Sequence, residues 1–185
     1  MIRLVCGLGN PGNEYAKTRH NIGFMALDRF NFNWQKKFKA LYTQENFKSE
    51  KVLFLKPQTF MNLSGESVVD ASQFFKIDIT EILVVYDEID IPYGTVQLKK
   101  GGGLAGHNGL KSIAGLMGSD EFYRLRLGVS RPIHGTVANH VLGEFSSEEK
   151  KGIDSYILEA RNIIEFILNE GFEKASQKYS KKSFI

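Results

Sequence analysis

Asparagine recurs in this 185-residue chain where turns and glycine-rich loops would expose it, in the company of histidine and aspartate. Asn10 lies inside Gly7-Leu8-Gly9-Asn10-Pro11-Gly12. His20 and Asn21 begin one helical pattern, Asn62 opens another, Asp87 ends a β-branched run, and His107-Asn108 lies at the end of the stretch Gly101 to Gly109. A neutral amide both donates and accepts hydrogen bonds, so such side chains can hold a peptide or an ester without adding charge. Taken singly, the same residues have plainer uses. An asparagine in a turn serves its own backbone, a histidine near a helix start is a surface or capping residue, and an aspartate at a strand end caps the next turn. The chemical reading requires several of them to share one cleft.

Other chemistries lack their parts. Gly7 to Gly12 has the form Gly-x-Gly-x-x-Gly, but a dinucleotide site also needs a helix directly behind the glycines and an acidic residue about 20 positions on. Asn13 to Arg19 has no apolar stripe, and no Asp or Glu occurs between Arg29 and Gln44. The stretch Gly101 to Gly109 is not followed by Gly-Lys-Ser/Thr, no serine sits in Gly-x-Ser-x-Gly, and His20, His107, His134 and His140 form no His-Glu-x-x-His frame. Nothing here calls for a metal or a cofactor.

The elements that must position these residues follow from periodicity. Leu4 to Cys6 predicts a short buried strand running into the first glycine loop, and Ile22 to Phe30 a helix. Leu41 to Phe47 and Val52 to Leu55 predict a hairpin stopped by Pro57. Asn62 to Ile77 predicts a helix with Ser64 as an early cap. Ile82 to Tyr86 predicts a central strand buried on both faces, which delivers Asp87, Glu88 and Asp90 at its carboxyl end. Val96 to Leu98 and Arg126 to Val129 predict strands, with a helix from about Leu110 between them. Ser146-x-x-Glu149 has the capping-box form. Behind it Ile153, Tyr156, Ile157, Ala160, Ile163, Ile164, Ile167 and Leu168 keep one helical stripe apolar until Gly171. This alternation predicts an α/β fold: one domain over residues 1–185, with a mixed, mostly parallel twisted sheet flanked by helices and a C-terminal helical segment over about 146–179. Loops at the carboxyl ends of its strands converge on one crevice.

Composition bounds the setting. Aromatic content of 12% and a net charge of +3 exclude global disorder and a polybasic clamp. Cys6 is the one cysteine, so neither an internal disulfide nor a zinc cluster can form. No apolar run approaches the roughly 18 residues of a membrane helix, and the cytoplasm is the expected location. The charge is uneven: residues 1 to 60 are net +6, 61 to 100 net −4, and 101 to 185 net +1.

Five blocks then match something specific. They are Gly7 to Gly12 with Tyr15 and Thr18-Arg19-His20-Asn21-Ile22-Gly23; Thr59-Phe60-Met61-Asn62-Leu63-Ser64-Gly65; Asp87-Glu88-Ile89-Asp90-Ile91-Pro92; Gly106-His107-Asn108-Gly109-Leu110-Lys111-Ser112; and Arg124-Leu125-Arg126-Leu127-Gly128. In order and spacing the chain resembles the bacterial-type peptidyl-tRNA hydrolases from Leu4 to about Gly143. The resemblance implies an esterase that frees tRNA from peptidyl-tRNA, working as a monomer on the tRNA acceptor stem and the peptide, without a membrane. It places the catalytic base on His20, its partner carboxylate on Asp87, and discrimination for N-blocked substrate on Asn10. Tyr15, Phe60, Asn62 and Asn108 fall on substrate-contacting positions, Asn108 also on the positioning of water.

An imidazole backed by a carboxylate suits that chemistry, since the carboxylate fixes the tautomer and stabilises the imidazolium as it forms. Lys99, Lys100, Lys111, Arg126 and Arg131 flank or follow the glycine-rich loop and are the candidate phosphate contacts. Ala105 and Ser130 depart from the family, which usually has glycine at both places. A non-catalytic tRNA-binding protein and a dinucleotide-dependent enzyme are the competing expectations.

Overall fold

The computed structural model describes all 185 residues. In chain order the elements are β1 (Leu4–Gly7), α1 (Ile22–Asp28), β2 (Gln35–Lys37), β3 (Ala40–Phe47), β4 (Glu50–Pro57), α2 (Ser64–Phe75), β5 (Ile82–Glu88), β6 (Val96–Lys100), α3 (Asn108–Met117), β7 (Tyr123–Gly128), α4 (Val137–Val141), α5 (Ser147–Lys150), α6 (Ile153–Glu170) and α7 (Phe172–Tyr179). The strands form one sheet in the order β2-β3-β4-β1-β5-β7-β6. Its centre, β4-β1-β5-β7, is parallel, and both margins are antiparallel. The expected sheet is therefore present, with its parallel character confined to the middle.

Burial explains this arrangement. Every residue of β5 is buried, as a central strand between two helical layers must be. One face packs Val5, Phe54, Leu83, Val85, Leu125 and Leu127 against α1, α6 and α7. The other packs Leu4, Cys6, Leu55, Ile82, Val84 and Tyr86 against α2 and α3. The β3–β4 hairpin turns through Lys48 and Ser49, both at positive φ (49° and 67°), as a two-residue turn that matches strand twist requires. No helix is long and apolar enough to cross a membrane.

Several boundaries differ from expectation for local reasons. β2 is three polar, exposed residues at the sheet edge, too short to show alternation. Ser64 does not cap α2: a 3-10 turn, Met61–Leu63, precedes the helix, and the Ser64 hydroxyl donates back to the Met61 carbonyl at 2.7 Å. α3 begins two residues early because His107 caps it. The Ser146–Glu149 capping box forms, but it opens the short α5, and the chain bends at Lys151 and Gly152 before α6 takes up the apolar stripe. After Gly171 the chain turns into α7, and the segment beyond it pairs with the free edge of β6, where Val96 N–H donates to the Lys182 carbonyl (3.1 Å). That edge is thereby covered.

Candidate active site

The loops behind β1, β4 and β5 and the start of α3 meet above the carboxyl ends of the parallel strands, around a cleft of about 450 Å³. Asn10 is held there from three directions. Its N–H donates to Asn21 Oδ1 (2.8 Å), its carbonyl accepts from Asn21 Nδ2 (2.9 Å), and its Oδ1 accepts from Met61 N–H (2.7 Å). The Met61 bond sets the orientation of the amide and leaves Nδ2 without a protein partner, so Asn10 offers the cleft N–H donors. Behind Gly12 the chain makes turns, with a 3-10 turn at Arg19–Asn21 ahead of α1. The helix N-terminus of a dinucleotide site is not there.

His20 sits on that 3-10 turn. Gly23 lets the turn descend onto β5: a Cβ at position 23 would lie 2.3 Å from the Val85 carbonyl oxygen. Two residues past Val85, Asp87 is buried, its side chain 1% exposed, and its carboxylate is shared between two imidazoles. His20 Nδ1 lies 2.8 Å from Asp87 Oδ2, and His107 Nε2 lies 2.9 Å from Asp87 Oδ1. The two rings are 5.1 Å apart.

Hydrogen bonding fixes the protons. His107 Nδ1 accepts from the N–H groups of Gly109 (3.1 Å) and Leu110 (3.4 Å), so this nitrogen is bare and Nε2 carries the proton donated to Asp87. The carboxylate likewise calls for a proton on His20 Nδ1, which leaves Nε2 of neutral His20 as an acceptor with no protein partner. Burial lowers the affinity of His20 for a second proton, but the charge and hydrogen bond of Asp87 outweigh it, so the pKa lies above 6.5. Burial alone would raise the Asp87 pKa. The two histidines outweigh that and hold the carboxyl well below the usual range.

A cation would compete with these protons. His20, Asp87 and His107 place potential ligand atoms within 4.8 Å of one another, but both nitrogens involved already share hydrogen bonds with the carboxylate. The arrangement is suited to moving a proton.

Phe60, Asn62 and Asn108 line the cleft, with Phe60 57% exposed at its mouth. Tyr15 lies beside it, its ring edge-on to Phe60 with centroids 6.5 Å apart. Lys99 and Arg126 are outside the lining. Lys99 is exposed and makes no ion pair with a carboxylate, whereas two nitrogens of Arg126 bond Glu88 Oε1 (3.1 and 2.7 Å). Lys100 lies over the Tyr123 ring, and Arg131 pairs with Asp90 (2.7 Å). Three features of the site carry no assignment from the sequence: His107, Asn21 as the clamp on Asn10, and the apolar wall of Val137, Val141 and Leu142. The signal for His107 was its place directly ahead of a helix. The wall, on a five-residue helix, had no periodicity to read.

The two family departures share a conformation: Ala105 and Ser130 have φ of 51° and 63°, where glycine is least strained. Ser130 has a compensation, since its hydroxyl accepts from Tyr93 N–H at 2.8 Å. Ala105 makes no such bond.

The family model described as peptidyl-tRNA hydrolase matches residues 4–184. Among curated relatives, the peptidyl-tRNA hydrolase of Geotalea daltonii is 43% identical over all of this chain and 99% of its own length. That of Citrifermentans bemidjiense is 46% identical over 94% of this chain and 95% of its own. The crystal structure of peptidyl-tRNA hydrolase from Acinetobacter baumannii superimposes with a TM-score of 0.89 at 36% identity, covering 97% of this chain and 96% of that one.

Proposed function

The chain belongs to the peptidyl-tRNA hydrolase family and hydrolyses the ester between peptide and tRNA, and from that premise we propose that His20 is the general base of the reaction. The observation that carries this is the Asp87 carboxylate, buried and bonded to His20 Nδ1, which leaves Nε2 bare toward the cleft. Nε2 removes a proton from a water molecule as its oxygen attacks the ester carbonyl carbon. The resulting imidazolium is stabilised by Asp87 and returns the proton to the departing ribose oxygen. General-base assistance of this kind contributes about 10²- to 10⁴-fold.

The amides supply the remaining parts. Asn108 positions the water, and Phe60, Asn62 and Tyr15 hold the two sides of the ester. Asn10 accounts for the preference for N-blocked substrate. Met61 N–H orients its amide through Oδ1 and leaves Nδ2 unpartnered, so it meets the substrate as a donor. A donor pairs with the carbonyl oxygen of a blocked amine and has nothing to offer the ammonium of a free one. Lys99 and Arg126 lie outside the cleft and serve the acceptor-stem phosphates, Lys99 as the freer of the two. In the same reading the protein acts as a monomer in the cytoplasm, in the service of translation.

The test is hydrolysis of N-acetyl-aminoacyl-tRNA by the wild type and by His20→Ala, with tRNA affinity measured alongside. Turnover is expected to vanish in the variant while affinity stays close to wild type. Wild-type hydrolysis by His20→Ala removes His20 from the role of base.

A further inference from the structure

The loop Gly101 to Gly106 brings His107 and Asn108 to the cleft, and its backbone is costly to hold. Gly101, Gly102, Ala105 and Gly106 have φ of 65°, 98°, 51° and 74°. A non-glycine residue in the left-handed region is kept there only by its surroundings. The main chain supplies little at this place: Gly101 N–H donates to the Phe122 carbonyl (3.0 Å) and His107 N–H to that of Leu104 (2.9 Å).

The carbonyls of Gly102 and Gly103 are instead held by one side chain. Arg124 donates from Nη2 to Gly102 O (2.7 Å), from Nη1 to Gly103 O, and from Nη2 to Asp120 O (3.1 Å). This arginine, on β7, is 1% exposed and lies over the Phe122 ring at 4.5 Å, with no carboxylate bonded to it. A buried cation so placed is a poor device for stability, because an aliphatic chain of similar size fills the space without desolvating a charge. What the aliphatic chain cannot do is grip two successive carbonyls with a rigid fork. Gly102 and Gly103 are at least partly exposed, so if the fork is removed their carbonyls can turn to water.

We propose that Arg124 is a positioning residue for the hydrolysis, fixing the glycine-rich loop so that His107 meets Asp87 and Asn108 faces the cleft. This rests on the reading that His107 and Asn108 act in the site. It touches neither substrate nor the reacting atoms.

The experiment compares wild type, Arg124→Met and Arg124→Lys on N-acetyl-aminoacyl-tRNA, with melting temperatures for each. In Arg124→Met kcat is expected to fall about 10- to 100-fold, the scale of a small misplacement of catalytic groups. KM and melting temperature should stay near wild type. Arg124→Lys, able to reach one carbonyl but not both, should lie between. Wild-type kcat in Arg124→Met overturns the proposal, as does a loss of kcat that merely follows a loss of melting temperature across the two variants. Should Arg124→Met not fold, Arg124→Lys decides alone: lowered kcat with altered His107 imidazole ¹⁵N shifts supports the proposal, and wild-type values of both overturn it. Asn108→Ala, run in parallel, separates the premise from the inference. Wild-type kcat there removes the premise, whereas reduced kcat there with wild-type kcat in Arg124→Met removes only the positioning role.

Discussion

Replacing Asp87 by asparagine keeps the shape of the side chain and changes which protons it can hold. His107 decides how the new amide sits. Its Nδ1 is occupied by the N–H groups of Gly109 and Leu110, so its Nε2 is a donor and requires the amide oxygen. The NH₂ group is then turned toward His20 Nδ1, 2.8 Å away in the wild type, and can bond there only to a bare nitrogen. Neutral His20 is thereby driven to carry its proton on Nε2, the atom that should accept one from water. The general-base contribution, about 10²- to 10⁴-fold or roughly 3–5 kcal/mol at 1.36 kcal/mol per decade, is lost. The pH profile should move as well. Asp87 raises the His20 pKa and burial lowers it. In the wild type kcat/KM should therefore rise with pH through a pKa above 6.5, and in Asp87→Asn the limb of the residual activity should move to lower pH. Steady-state hydrolysis of N-acetyl-aminoacyl-tRNA across pH, on variants checked by melting temperature, measures both effects. A folded Asp87→Asn protein with kcat within about threefold of wild type, against the 10²-fold minimum expected, would refute the reasoning.

Three further outcomes follow from the same geometry. Asp87 is depressed below 3.8 and His20 raised above 6.5, so their contribution to stability should be complete between those values. It is lost as pH falls through the folded Asp87 pKa and as it rises through the folded His20 pKa, and the melting-temperature difference between wild type and Asp87→Asn should trace this. Gly23→Ala places a methyl against the Val85 carbonyl and should destabilise by about 1–3 kcal/mol, with activity reduced as the His20 turn lifts from β5; calorimetry and turnover on the same samples check it. Ala105→Gly relieves a left-handed alanine and should stabilise by about 0.5–1 kcal/mol, read as a rise of about 1–4 °C in melting temperature.

The legibility of the fold followed burial. β5 announced itself as Ile82-Leu83-Val84-Val85-Tyr86 because a strand covered on both faces has no polar alternation to blur it, and α6 because its stripe is long. β2, α4 and the bend at Gly152 escaped because three to five residues carry no periodicity, and because a capping box marks where a helix starts without saying how far it runs. In the site, Asn10, His20, Phe60, Asn62, Asp87 and Asn108 line the cleft and were visible through their motifs, whereas the apolar wall of Val137, Val141 and Leu142 carried none. Residues that act on other protein groups were less visible. Asn21 clamps the backbone of Asn10, His107 serves α3 and Asp87 at once, and Arg124 holds two carbonyls 21 and 22 residues away, contacts that only the folded chain brings together. The small net charge gave little hint of a nucleic-acid partner, partly because basic groups such as Arg126 and Arg131 are matched by Glu88 and Asp90.

The central claim is that His20 holds a bare Nε2 toward the cleft because Asp87, itself fixed by His107, keeps the proton on Nδ1. The ¹⁵N chemical shifts of the His20 imidazole, followed by NMR through its titration, test this most directly. The neutral ring is expected to be the Nδ1–H tautomer, formed with a pKa above 6.5, and Asp87→Asn to convert it to Nε2–H. A wild-type His20 that is neutral with its proton on Nε2 would contradict the claim.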